Sequence, residues 1–339
     1  HFNWQSIFLI NLPVGALAIA LGAWSIAESA HPEHAAFDPA GQALSVLWLG
    51  ALTYGLIAAG EHGWAAPQAT VALAVAAIGL LAFLWVELRV ARPILPLGLF
   101  RDAGFAITNF ASFVLGFSAY SSLFFFSLYM QHVQGLSPLA AGWQLAPQFA
   151  AAGLVSIVFG RLNLRFGLPR LMIAGFALIG AAMLGMTRFE AHTPYIVSGS
   201  LLVLLGLGTG LAVPSTSMAV MATVPRERSG MASATMNALR QTGMTIGIAL
   251  LGALMSGRAI DALTASLAGA GASDAQALAR DAITRHLMPA QPANAAALAA
   301  DALAGGFHAA MLAAGIASLL AALLLVVLAR GSRRVLRAA

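Results

Sequence analysis

Residues 195–221 read YIVSGSLLVLLGLGTGLAVPSTSMAVM, 27 positions without one charged side chain. A helix needs about 20 predominantly apolar residues to cross the hydrocarbon of a bilayer, and this stretch exceeds that. Working outward, eight further runs of the same kind lie near 7–27, 41–60, 69–88, 105–130, 139–160, 171–188, 232–257 and 307–329. They are continuously apolar rather than alternating, so they predict helices and not barrel strands. The expected fold is all-α, a polytopic membrane protein with about nine transmembrane helices.

Composition agrees with that reading. Of 339 residues 60% are hydrophobic and only 9% charged, with a mean hydropathy of +0.86; a soluble domain carries about 25% charged residues. A soluble enzyme, a nucleic-acid binder and a disordered chain are excluded. The net charge of +5 rests on few ionic groups, and they form no basic face. All 17 cations are Arg, and there is no Cys, which removes disulfides, Cys-type zinc sites and thiol chemistry.

Alternate loops divide the arginines unequally. Thirteen of the 17 fall on one side, among them Arg89, Arg101, Arg161, Arg165, Arg170, Arg226, Arg228, Arg240 and Arg330. The others are Arg188, Arg258, Arg280 and Arg285, three of them in a long loop at about 258–305. The positive-inside rule makes the rich side cytoplasmic, with the C-terminus inside and His1 outside. The chain opens on His1 and runs straight into an apolar stretch, with no charged n-region or cleavage site, so this is no signal peptide. The expectation is a chain that begins partway through a longer protein. Three segments are expected: one helix in 1–30, a two-helix insert with cytoplasmic linkers in 31–104, and six spans in 105–339. Short surface helices can form in the long outer loop, for instance over 274–287.

Polar residues recur inside the spans at helical spacing. One stripe holds Asn109, Ser112, Gly116, Tyr120, Ser127 and Gln131; a second holds Gln144, Gln148 and Ser156; a third holds Asn237, Gln241 and Thr245. Such stripes face a cavity or another helix rather than lipid. Tyr120, Ser127, Gln144, Gln148, Asn237, Gln241 and Thr245 are therefore the candidate cavity-lining residues, with interhelical hydrogen bonding as the bland alternative. Phe124, Phe125 and Phe126 could add apolar contacts or face lipid. The last span, nearly all aliphatic from 317 to 329, is expected to face lipid. Gly206 with Gly210, and Gly243 with Gly247, are small-xxx-small pairs suited to close helix packing. The run Gly206-Leu207-Gly208-Thr209-Gly210 lacks the strand and the Lys-Ser/Thr of a phosphate loop. Pro13, Pro147 and Pro214 lie inside predicted helices and favour kinks. All 12 acidic residues fall in loops or at helix ends. His308 opens the last span as an interfacial residue. His31 and His34 flank Pro32 without a third ligand, so no metal site is expected. No Ser-His-Asp set or carboxylate pair supports an enzyme, and no cofactor is implied.

The motifs carry a resemblance. Ser137-Pro138-Leu139-Ala140-Ala141-Gly142 and Pro147 are followed by Gly160-Arg161-Leu162-Asn163-Leu164-Arg165-Phe166-Gly167 and Arg170. This resembles the cytoplasmic loop motif of the major facilitator superfamily, in its second-half copy. Further on stand Pro225-Arg226-Glu227-Arg228-Ser229-Gly230-Met231-Ala232-Ser233, then Asn237, Arg240-Gln241, Gly243 and Gly247; residues 4–15 read WQSIFLINLPVG, and Gly306-Phe307-His308 opens the last span. Together these resemble the 14-span drug:proton antiporter branch of the EmrB/QacA type. The resemblance implies that five spans precede this chain, that 41–88 is the central two-helix insert, and that 105 onward is the C-terminal six-helix half. It implies export of small amphipathic compounds from a bacterial cytoplasmic membrane, by alternating access driven by protons. The acidic coupling residues would lie in the preceding part. The implied partners are the lipid bilayer, the exported compound and protons, with no nucleic acid; a periplasmic adaptor is left open. Gly160, Arg161, Arg165, Gly167 and Arg170 are implied to act in conformational control. One departure is Leu164, where the family commonly has an Asp that holds the inner gate. Transport of another small solute, or a fragment that does not transport, are the alternatives.

Overall fold

A computed structural model describes residues 9, 11–25, 38–90, 93–95, 97–285, 287, 292 and 294–338, the side chains of Glu227 and of 331–338 excepted. His31, His34, Arg92 and the side chains of Arg333, Arg334 and Arg337 lie outside the described residues. Every regular element described is helical. The chain divides into two compact units, 1–38 and 39–339. The first contains α1 (Asn11–Ser25), an apolar helix with no buried residue, inside the expected span 7–27. Of the rest of that span only Leu9 is among the described residues.

Among the described residues the second unit holds eight helices long and apolar enough to cross a membrane. These are α2 (Pro39–His62), α3 (Pro67–Glu87), α4 (Ala103–Val133), α5 (Pro138–Phe166), α6 (Leu168–Met186), α7 (Tyr195–Ala222) and α8 (Ser229–Gly269), followed after a short α9 (Ala275–Arg285) by α10 (Ala295–Ala338). Each matches an expected span. Local chemistry sets their ends. Asp102 caps α4 by accepting the Phe105 N–H at 2.8 Å. Pro67 and Pro138 occupy first-turn positions, where a missing N–H is harmless. Gly63, at φ +93°, turns the chain between α2 and α3. The helices run on through Pro147 and Pro214.

Helices α2 and α3 form a hairpin closed by Trp48 against Phe83, ring centroids 6.5 Å apart. Its far end docks on α8, where a Cβ on Gly60 would lie 2.7 Å from the Ala253 Cα. The other six spans form two layers. In front, α5, α7, α4 and α8 lie side by side; behind them are α6 and α10. The core between the layers holds Phe125, Phe126, Tyr129, Phe176, Met183, Phe307 and Met311. Tyr129 stacks on Phe307 at 4.8 Å, and its hydroxyl donates to the Glu190 carbonyl at 2.7 Å. Phe125 and Phe126 are thus core residues, and Phe124 is half exposed. In α10 one face enters the core through Ala321, Ala322 and Leu325, while Leu320, Leu323 and Val327 stay exposed.

The segment expected as a long loop at 258–305 is largely helical. Helix α8 continues to Gly269, α9 follows, and α10 already begins at Ala295. These ends pack together through Ala259, Leu263, Ala279, Ala282, Ile283 and Ala299. Alanine is the strongest helix former, and the buried residues of α9 repeat on one face, so an alanine-rich stretch outside the hydrocarbon folds into a small cap. An Asp281–Arg285 pair one turn apart, at 3.1 Å, adds to α9.

Candidate functional site

Two π-helical turns interrupt α4, Gly116–Tyr120 and Tyr129–Val133. Each changes the phase of the side chains that follow, so the stripe expected at even 3.6-residue spacing is not one face. Asn109 and Ser112 are fully buried, and Ser112 Oγ donates to the Met236 carbonyl of α8 at 3.1 Å. Ser118, inside the first π turn, accepts from Ser318 Oγ of α10 at 2.8 Å. These residues join helices.

Tyr120 ends the first π turn half buried and faces α8. The Arg240 guanidinium carbon lies 5.7 Å from the centre of its ring, within cation–π range. Arg240 also donates to Asn237 Oδ1, one turn earlier on α8. The Asn237 amide is oriented in turn by its Nδ2, which donates to the Ser233 carbonyl at 3.0 Å. Beside this set Gln241 is exposed and Thr245 half buried. The structure therefore brings together Tyr120, Asn237 and Arg240. The sequence reading counted Arg240 with the topology-setting cations. Its signal was position: it stands 11 residues into α8, three after Asn237.

The other expected lining residues lie apart. Ser127 accepts from Gln131 of its own helix at 2.7 Å. Gln144 is half buried on α5, its carbonyl accepting from the Tyr195 hydroxyl at 3.3 Å. Gln148 is buried in the seam between α5 and α7, and its Oε1 has no hydrogen-bond partner.

Glycines bring the front-layer backbones into contact. A Cβ on Gly116 would lie 2.9 Å from both the Arg240 carbonyl carbon and the Met244 nitrogen. From the other side, a Cβ on Gly243 would meet the Phe113 carbonyl carbon at 2.9 Å, and one on Gly247 the Phe117 oxygen at 2.6 Å. In α7, Gly206 and Gly210 lie against α5, with Cβ distances of 3.0 Å to the Gln148 carbonyl carbon and 2.8 Å to the Ala152 oxygen. Gly208 faces the opposite way, onto Ile179 of α6 at 2.9 Å. The glycine run in α7 is thus an inter-helix seam in the middle of a helix, with no loop to cradle a phosphate.

At the arginine-rich end, Gly167 alone separates α5 from α6, at φ +78° and ψ 151°. Arg161, Arg165 and Arg170 are exposed around it. Arg165 lies over the Phe166 ring at 5.3 Å, and Arg170 Nη1 donates to the Phe166 carbonyl at 3.4 Å. Gly160 is exposed with open space around it, and Leu164 is 90% exposed. At the opposite end a cleft of about 300 Å³ lies between the α2–α3 hairpin and the cap, lined by Glu61, His62, Arg258, Asp261 and Arg280. Its first lining residue on α8 is Ala253, 13 residues beyond Arg240, about 20 Å at 1.5 Å per residue. Among the described residues no His, Cys, Asp or Glu cluster could hold a metal ion.

Two layers of apolar helices, closely packed through glycine and carrying a half-buried polar set, define a multi-pass membrane protein. A crystal structure of a bacterial homolog of the human lysosomal transporter Spinster, inward-facing and occupied, shares the fold. The TM-score is 0.52 at 18% identity, covering 85% of this chain and 66% of that one. Residues 108–273 match the Major Facilitator Superfamily. Multidrug resistance protein Stp of Mycobacterium tuberculosis is 37% identical over 262 residues, 76% of this chain and 48% of the relative. The methylenomycin A resistance protein of Streptomyces coelicolor is 34% identical over 254 residues, 75% of this chain and 53% of the relative. The tetracenomycin C resistance and export protein of Streptomyces glaucescens is 32% identical over 263 residues, 77% and 49% respectively. The chain spans about half the length of these curated relatives.

Proposed function

We propose that the protein exports small amphipathic compounds across a bacterial cytoplasmic membrane, in exchange for protons, as a member of the 14-span drug:proton antiporter branch. The observation that carries this reading is the half-open set of Tyr120, Asn237 and Arg240 at mid-span on the front layer. The names of the relatives, three of them resistance proteins, support it. Transport would proceed by rocking of one helical half against the other around a mid-membrane site. Residues 39–339 would supply the central hairpin and one half, with the arginine-rich end and the C-terminus cytoplasmic. Gln241, exposed beside Arg240, would contact the compound. Gly160, Arg161, Arg165, Gly167 and Arg170 would shape the cytoplasmic gate, without the carboxylate that Leu164 replaces. Gly206, Gly210, Gly243 and Gly247 would keep the moving half rigid.

The test is drug susceptibility of an efflux-deficient bacterial host expressing the protein. Expression is expected to raise resistance to several amphipathic compounds, an effect lost when the proton gradient is collapsed. Tyr120→Ala or Gln241→Ala should lower it at unchanged protein level. Resistance that is unaltered by expression, for every compound tested, would sink the export reading.

A further inference from the structure

Arg240 is the one site feature with a definite charge, and its setting identifies what it awaits. The residue stands 11 positions into α8, about 16 Å from the helix start at 1.5 Å per residue. Counted from the start of the expected span 232–257, the residue sits about 12 Å inside a hydrocarbon core of about 30 Å. A cation at such depth is costly and marks a functional path. This one is also fixed in place. Its carbonyl abuts Gly116, so its backbone cannot shift without parting α4 from α8. Its side chain is held between Asn237 Oδ1 and the face of Tyr120, and the π turn that ends at Tyr120 presents that ring.

What the setting lacks is negative charge. Among the described residues no carboxylate lies within ion-pair distance of Arg240. Asn237 and the Tyr120 ring offer dipole and quadrupole, which orient a guanidinium without neutralising it. A guanidinium has five N–H donors in a planar fork, and Asn237 is its only hydrogen-bond acceptor here. The remaining donors suit two oxygens side by side, the bidentate pattern of a carboxylate. A lipophilic cation would instead meet repulsion at this point.

We propose that Arg240, aimed by Asn237 and Tyr120, is the subsite that accepts a carboxylate or similar resonance-stabilised oxyanion of the exported compound. The proposal rests on the export reading above and narrows its substrate class to amphipathic acids. The probes are a matched pair, dansyl-phenylalanine and its methyl ester, which differ in the charge of one group. Binding to the purified protein, followed by dansyl fluorescence, should favour the acid. Arg240→Gln should weaken the acid by roughly tenfold to a hundredfold, the range for a charge-assisted hydrogen bond, and leave the ester unchanged. Arg240→Lys should keep part of the preference, and it stands in if the Gln variant fails to fold by size exclusion and circular dichroism. If acid and ester bind equally to the wild type, or Arg240→Gln weakens both alike, the anion subsite is overturned and the export reading survives. In that case a carboxylate of the protein neutralises Arg240. If neither probe binds saturably and expression also confers no resistance, both readings fall together.

Discussion

Replacing Gly116 by Ala tests the contact on which the site is built. The added Cβ would lie 2.9 Å from the Arg240 carbonyl carbon and 2.9 Å from the Met244 nitrogen, and would overlap the Arg240 carbonyl oxygen. Ordinary contacts between such atoms are about 3.5–4.0 Å. All three neighbours are backbone, so none can rotate away, and α4 and α8 must part by about 1 Å. That opening stretches the Ser112 to Met236 hydrogen bond, now 3.1 Å, to about 4 Å, beyond bonding range. Overpacking of this kind costs about 1–3 kcal/mol, and an interhelical hydrogen bond in a membrane contributes about 0.6 kcal/mol. Against this, Ala exceeds Gly in helix propensity by about 1 kcal/mol. The net expectation is a loss of about 2 kcal/mol. Gly153 is the control: it is exposed on α5, and a Cβ there meets nothing within 4 Å. Thermal unfolding of the purified protein in detergent, read by fluorescence-detected size exclusion, should show Gly116→Ala several degrees below wild type and Gly153→Ala at or above it. Equal shifts for the two variants, or a Gly116→Ala midpoint at the wild-type value, would refute backbone contact at this seam.

Two other outcomes follow from features already described. Ser118→Ala, Ser318→Ala and the double variant should close a cycle with a coupling of about 0.6 kcal/mol, at most about 1.7 kcal/mol; additive effects in unfolding titrations would mean that the 2.8 Å bond between α4 and α10 contributes nothing. Gly167→Ala places a side chain at φ +78° and ψ 151°, a conformation nearly confined to glycine, at a cost of about 1–3 kcal/mol; its unfolding midpoint should fall below that of Gly160→Ala, where the backbone is helical and the added methyl has open space.

The spans were legible because a run such as 195–221 has only one way to satisfy its backbone in lipid. Phase within a span was not. The first π turn of α4 begins at Gly116, pressed against Arg240 of α8, a contact between residues 124 apart in the chain that no local spacing encodes. Phe124, Phe125 and Phe126 look alike in sequence, yet only their place after the first π turn decides which two enter the core. The cap was legible in part: short surface helices were expected over 274–287, where α9 stands. Reading 258–305 as a loop containing Pro289 and Pro292 missed the continuation of α8 to Gly269 and the start of α10 at Ala295, where the alanines were a helix signal of another kind. Arg240 lies inside the expected span 232–257 but was counted with the cations of the neighbouring loop, because the positive-inside rule gives each cation a side. What no local spacing gives is its partner: Tyr120, on another helix, stands opposite Arg240 only in the fold.

The cap also gives the protein a lever. Helix α8 carries Arg240 and Gln241 near one end and Leu263 and Leu267 at the other, on one unbroken helix of 41 residues. From Arg240 to Gly269 is about 44 Å at 1.5 Å per residue. A tilt of α8 by about 5° at the level of the guanidinium would sweep the cap sideways by about 4 Å over that arm. Because α9 and the start of α10 pack on the same tip, they would travel with it. Movement at the Arg240 guanidinium would thus be read at a surface that water, a fluorophore or a passing protein can touch.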